Sequence, residues 1–318
     1  TKIKMKKKAI IVSIEGTSLT SKESLLLSKE NPWGLILFKR NLKSLTQIQN
    51  LIKKIKKLTK ENNFPILIDE EGSTVSRLKD IINHNISSNF FGNLYLINKT
   101  LCIKIYKIYL NSLCKNLKKI GININTIPVL DILRKNTSKV IGSRSFSNKK
   151  EVVKKLGEIT VNQCRINKII SVIKHIPGHG CSTADSHHRM PKVNLSYKNL
   201  NENDFFPFKS SSAKLAMTAH ILFKKIDSVN VATFSKKIIK EIIRKKIGFT
   251  GILMSDDISM KALKFDIVTN AKKSLDAGCN LVLYCAGNIN DNFKLIKSVP
   301  YIDAFTSKKT SEIYKILR

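Results

Sequence analysis

The segment Lys174-His175-Ile176-Pro177-Gly178-His179-Gly180, followed by Asp185-Ser186-His187, gathers proton-transfer groups, a cation and two glycines into fourteen residues. Histidine is scarce in the chain, yet His175, His179, His187, His188 and His220 all fall between positions 175 and 220, with only His84 outside. That concentration reads as an active-site loop. On an irregular loop His187 can share a hydrogen bond with the Asp185 carboxylate, which orients the imidazole and favours its protonated form. The pair would then serve as a general acid near neutral pH. Lys174 and His175 close an apolar run and are expected to be rigid donors to a polar ligand, whereas Gly178 and Gly180 are expected to let the loop swing over a substrate.

Carboxylates supply the complementary chemistry. Asp256 and Asp257 follow the apolar run Gly251 to Met254, and a carboxylate held at a strand's end can attack an electrophilic carbon or stabilise a developing cation. Asp257 is expected to act locally, capping a helix that begins near Ser259, leaving Asp256 to face the pocket. Asp69-Glu70-Glu71-Gly72 with Arg77 offers an acceptor and a charged donor around one strand exit. The two either recognise hydroxyl groups or form an internal salt bridge. Arg144 sits in the Gly/Ser-containing turn Ile141 to Phe146, where loops carry function. No spacing matches H-E-x-x-H or a tetrahedral Cys/His zinc site, and Gly178-His179-Gly180 is not a phosphate loop. Neither a metal nor a cofactor is expected, and Cys181 reads as a small polar filler.

These groups need a scaffold. Eight short apolar, β-branched runs recur at 9–14, 34–38, 65–69, 122–127, 169–175, 215–220, 251–256 and 280–285. Several lack polar alternation, as expected of parallel strands buried on both faces. Amphipathic or lysine-rich segments lie between them, with helices expected at 45–60, 101–120, 149–167, 235–247 and 269–277, and with Gly121, Gly248 and Gly278 as stops and Ser235 as a cap. Repeated strand-helix units without an intervening linker predict an α/β chain folded as one (β/α)8 TIM-type barrel over 1–318, with a doubly wound open sheet as the alternative. Asp69, His175, His220 and Asp256 would then all stand at strand C-terminal ends, where barrel enzymes assemble their sites.

Charge and composition narrow the partners. The formal net charge of +34 suits nucleic acid or an anionic surface. The lysines are nonetheless spread over nearly every expected helix, and the excess of Lys, Ile and Asn matches the usage of an AT-rich genome. A basic, solvated surface with no specific nucleic-acid partner is the preferred reading. The six cysteines form no C-x-x-C pair, which suits a reducing compartment. The run Ala9 to Ile14 is shorter than a signal-peptide core of about 7–15 residues. No stretch approaches the roughly 20 apolar residues of a membrane span. A soluble, cytoplasmic monomer is expected.

Taken in chain order, Glu15-Gly16 with Leu19-Thr20, Gly34 to Phe38 with Arg40-Asn41, Asp69 to Arg77, Pro128 to Asp131, Ile141-Gly142 with Arg144-Ser145-Phe146, the 174–180 and 185–187 elements, Ala232 to Ser235, and Ser255 to Asp257 with Ser259-Met260 resemble the β-N-acetylhexosaminidases of glycoside hydrolase family 3. The likeness continues to Ala277-Gly278-Cys279, and the short length resembles the single-barrel bacterial members that act in cell-wall recycling. It implies a retaining glycosidase with Asp256 as nucleophile, His187 as acid/base and Asp185 as its dyad partner. Asp69, Arg77, Arg144, Lys174 and His175 would hold a terminal N-acetylglucosamine, and the substrate would be a muropeptide fragment. The chain departs from the family where Cys181-Ser182 replaces Asp-Thr, where Gly72-Ser73-Thr74 replaces Gly-Gly-Arg, and where His188-Arg189 precedes Met190-Pro191. Two other readings are a phosphorolytic relative and a catalytically silent glycan- or nucleic-acid-binding protein, and the intact Asp185, His187 and Asp256 count against the second.

Overall fold

Eight parallel strands close into a barrel in the computed structural model, which describes residues 6–135, 137–182 and 190–318. In chain order they are Lys8–Val12, Pro32–Leu37, Ile66–Ile68, Ile124–Asn125, Ile170–Ile176, Leu215–Thr218, Ile252–Asp257 and Leu281–Leu283, referred to below as the first to eighth strands. Neighbours in sequence are neighbours in the barrel, and the eighth pairs back onto the first through Ile10↔Val282 and Ile11↔Leu283. Each expected run overlaps one strand, and the ends differ by no more than two residues. The open-sheet alternative is excluded by that closure.

The unbroken apolar runs have a direct cause. Ile10 and Val12 point outward into the layer between strands and helices, while Ala9 and Ile11 point into the barrel. The strand period of two therefore sends alternate residues into two different dry cores. Inside the barrel, Ile36, Leu67, Val172, Leu215, Met217, Met254 and Leu283 fill the axis. Trp33 sits at the same core and donates its Nε1–H to Thr310 on the last helix, Ala304–Leu317, at 2.8 Å. A packed interior makes the barrel a platform, so the upper rim alone is open for chemistry.

Helices cover the outside wherever an apolar stripe and a cap coincide. In Leu45–Thr59 the buried residues are Ile48, Leu51, Ile52 and Ile55, at helical spacing, and the Ser44 hydroxyl accepts the Gln47 N–H. Lys99–Ile120 is capped by Asn98 and stopped at Gly121, whose φ of 94° a side chain would oppose. Ile267–Ala277 follows the same logic, starting at an Asp266 cap and ending before Gly278, whereas Lys150–Ile166 has the buried stripe without a side-chain cap. The segment Ile238–Lys246 is helical but wound with π-type hydrogen bonds, and the Ser235 hydroxyl accepts the Ile238 N–H. One expectation fails: no helix starts near Ser259. Asp257 instead holds a turn, accepting the Ser259 N–H and hydroxyl, and the helix begins only at Ile267.

Candidate active site

A cavity of about 400 Å³ opens at the C-terminal end of the strands, and Asp69, Arg77, Arg144, Lys174, His175 and Asp256 all line it. These are six of the eight residues singled out from the sequence. Asp185 and His187 lie outside the described residues. Met217 and Leu283, the upper layer of the barrel interior, also line the cavity.

The third strand delivers Asp69 and then turns into the short antiparallel pair Glu70–Gly72 and Val75–Ser76. Glu70 folds that pair. Its carboxylate accepts the Ser76 hydroxyl at 2.5 Å and the Arg77 and Leu78 N–H groups at 2.9 Å each, while Asn125 clamps its backbone from the fourth strand. Arg77 is thereby carried back over Asp69, to which it donates at 2.9 Å. Its guanidinium also lies 5.2 Å from the centre of the Phe38 ring, so the second strand supports it from beneath. The Asp69–Arg77 ion pair exists, and both partners still face the cavity.

Glu71 organises the opposite wall. Arg144 grips it with two donors at 2.7 and 2.9 Å, and the Lys174 ammonium meets it at 2.6 Å. Lys174 also donates to Thr126 at 2.8 Å and lies 3.5 Å from Asp69. Burial opposes ionisation of Glu71, but the Arg144 and Lys174 charges outweigh it and hold the carboxyl at about 2. Asp69 is likewise held below the ordinary range: burial works against its charge, and Lys174 and Arg77 overcome it. Asp69, Glu71, Arg77, Arg144 and Lys174 therefore line the cavity as charged groups already paired with one another, which present fixed dipoles to a ligand rather than free charges.

A second relay runs through Asp131, which is completely buried. Its Oδ2 accepts from His175 Nδ1 at 2.7 Å and its Oδ1 accepts the His179 N–H at 2.6 Å, fixing which ring nitrogen of His175 carries that proton. His179 packs its ring edge against His175 with centroids 5.8 Å apart. Neither of its ring nitrogens has a hydrogen-bond partner among the described residues, and burial lowers its pKa to about 4, leaving a neutral imidazole in the cavity wall.

Asp256 stands across the mouth, at the end of the seventh strand, with its Oδ1 accepting the Asp257 N–H at 2.8 Å. Burial opposes its charge, but the imidazoles of His175 and His220 lower its pKa below the ordinary value. Asp256 is thus kept as a carboxylate. Its neighbour Asp257 is pushed upward by burial and spends its oxygens on the Ser259 turn and the Cys285 N–H. His220 turns out to be a scaffold group. Its Nε2–H donates to the Asp257 carbonyl at 3.0 Å, Nδ1 meets the Thr233 hydroxyl at 2.7 Å, and it does not line the cavity.

Sequence reasoning assigned no role to Glu71, Asp131 or His179. The signals were present: Glu71 is two residues beyond Asp69, and Asp131 closes the run Pro128 to Leu130. The glycines of the histidine loop also serve another purpose than expected. A side chain on Gly178 would stand 2.9 Å from the Asp204 backbone, and one on Gly180 would stand 1.9 Å from the Ile132 carbonyl. Both are buried close approaches. The loop head through Ser182 is anchored further by the Thr137 hydroxyl donating to the Gly180 carbonyl and the Ser138 N–H donating to the Ser182 carbonyl.

Comparison with known proteins gives consistent matches. The model of the glycosyl hydrolase family 3 N terminal domain matches residues 5–308. The chain is 32% identical over 281 residues to a β-hexosaminidase of Nitrosomonas eutropha, covering 87% of this chain and 80% of that protein. It is also 32% identical over 309 residues to one of Haemophilus influenzae, covering 93% and 86%. Among solved structures, NagZ from Neisseria gonorrhoeae in complex with N-trifluoroacetyl-D-glucosamine is similar with a TM-score of 0.89 and 28% identity, over 97% of this chain and 90% of that one.

Proposed function

The chain belongs to glycosyl hydrolase family 3 and is a glycoside hydrolase, and on that premise we propose that it is an exo-acting, retaining β-N-acetylglucosaminidase. The observation that carries the reading is Asp256, a carboxylate held ionised against a polar cavity at a strand's C-terminal end. The relatives support the sugar: two are β-hexosaminidases and the gonococcal protein was captured with an N-acylated glucosamine.

In the first step an Asp256 oxygen attacks the anomeric carbon as the bond to the leaving oxygen breaks, and His187, oriented by Asp185, gives its proton to that oxygen. A glycosyl ester on Asp256 results. In the second step water attacks the same carbon, His187 takes its proton, and the Asp256 carboxylate is released. Asp69, Arg77, Arg144, Lys174 and His175 hold the terminal N-acetylglucosamine. Because Glu71 and Asp131 fix three of these donors and acceptors in advance, little ordering remains when the sugar binds. The natural substrate is a muropeptide fragment, N-acetylglucosamine joined β-1,4 to anhydro-N-acetylmuramic acid, turned over in the cytoplasm without a cofactor.

Turnover of an aryl β-N-acetylglucosaminide by wild type and by Asp256→Ala tests the assignment. The wild type should release N-acetylglucosamine and the variant should not; equal, slow rates would remove Asp256 from the mechanism. Running the same assay with phosphate separates hydrolysis from phosphorolysis, since N-acetylglucosamine-1-phosphate as main product would replace the first with the second.

A further inference from the structure

We infer that the outer face formed by helices Ser88–Ile97 and Lys99–Ile120 binds an anionic lipid bilayer. Helix Lys99–Ile120 packs onto the barrel through Cys102, Tyr106, Leu110, Leu113, Cys114 and Leu117. Its opposite face ought to be polar, as on any solvated helix. Instead Leu101, Ile105 and Ile108 are exposed there, and Ile97, the last residue of the preceding helix, is exposed as well. At about 100° per residue the three in the longer helix fall on one narrow stripe. Ile97 is 83% exposed and Ile108 60%, so most of each side chain lies in water.

Charge on this face points to one kind of partner. Lys99, Lys104, Lys107 and Lys115 are exposed on the same helix, and the chain has no Asp or Glu between Asp80 and Asp131. A second copy of this chain would set lysines against lysines with no acid to relieve them. A nucleic acid would answer the lysines but leave the isoleucines in water. A bilayer with anionic headgroups answers both, taking the apolar stripe into its interface and the ammonium groups at its surface. Helix Ser88–Ile97 also packs on the 142–144 turn that carries Arg144, with Gly92 pressed against the Phe146 carbonyl.

Co-sedimentation with vesicles tests the inference, using phosphatidylcholine alone or three parts of it with one of phosphatidylglycerol. Wild type should partition onto the anionic vesicles and stay off the neutral ones. The variant Ile97→Asp/Ile108→Asp should lose at least about tenfold in partitioning while keeping the wild-type thermal midpoint, because both side chains lie outside the core. Wild type that ignores anionic vesicles overturns the inference. So does a double variant that binds as well as wild type, which would assign binding to diffuse charge, and so does a wild-type dimer that these substitutions dissociate.

Discussion

The Glu71 carboxylate meets the Lys174 ammonium at 2.6 Å, so the strand pair that follows the third barrel strand fixes a cation at the end of the fifth. Arg144 completes the cluster from a separate turn. Three segments distant in the chain are locked by one acid.

Replacing that acid by Glu71→Gln leaves two buried cations facing one another, and breaking a buried pair of this kind costs roughly 3 kcal/mol. The carboxyl is lowered from 4.5 to about 2 on folding, so its contribution is complete above the unfolded value and is lost as pH falls from there toward 2. Urea denaturation should show a less stable variant at pH 7 and a flatter pH dependence in that acidic window. A variant as stable as wild type at pH 7 would contradict the account.

Asp131 acts through His175. In Asp131→Asn the amide nitrogen or oxygen must face His175 Nδ1, the tautomer is no longer fixed, and the ring loses its orientation. A fall of about 10²-fold in kcat/KM is expected, the scale associated with small misplacements of a reacting or holding group. The pH profile of kcat/KM should shift with it. A profile and rate matching wild type would show that the ring is held by packing alone.

His179 makes stability depend on pH in a defined direction. Burial lowers its pKa from 6.5 to about 4, so the unfolded chain binds a proton that the folded one refuses between those values. Stability is complete above 6.5 and declines as pH drops through the interval, by at most on the order of 3 kcal/mol. Thermal midpoints of wild type should therefore fall between pH 7 and pH 4 more steeply than those of His179→Asn. Parallel curves would rule out His179 as the source.

Gly180→Ala should destabilise by about 1–3 kcal/mol, the usual cost of forcing extra volume into a packed site, because the new carbon would stand 1.9 Å from the Ile132 carbonyl. Gly16→Ala is the matching control, with nothing within 4 Å of the added carbon. Equal denaturation midpoints for the two variants would show that the loop head yields freely.

His187→Ala should lose about 10²–10⁴ in rate, the range for a general acid/base, with a smaller loss for aryl leaving groups that need little protonation. Equal losses across good and poor leaving groups would remove the acid role.

All eight strands were legible because a parallel strand buried on both faces is mostly apolar, and a run such as Leu35 to Leu37 is buried along its whole length. Helices with a strong stripe and a clear stop, such as Leu45–Thr59 and Lys99–Ile120, were legible for the same local reason. The helices Ser21–Lys29, Ser88–Ile97, Tyr197–Glu202, Ile289–Ser298 and Ala304–Leu317 correspond to no expected element. They are short or rich in Ser, Asn and Lys, and tertiary packing rather than propensity decides such segments.

The amino-acid sequence by itself determined the alternation of strands and helices, hence an α/β chain of eight strand-helix units, and it determined which acids and cations stand where strands end; closure into a barrel rather than an open sheet was seen in the structure. Hydrophobic periodicity is local, and so it survives in one dimension. Only the tertiary structure decided the pairings: that Glu71 takes Arg144 and shares Lys174 with Asp69, that Asp131 orients His175, and that His179 is buried neutral. It also decided that His220 supports the site without facing it, and that Gly178 and Gly180 admit neighbouring backbone. These depend on distances between segments far apart in the chain, and on how much water each charge loses, quantities that exist only once the barrel has closed.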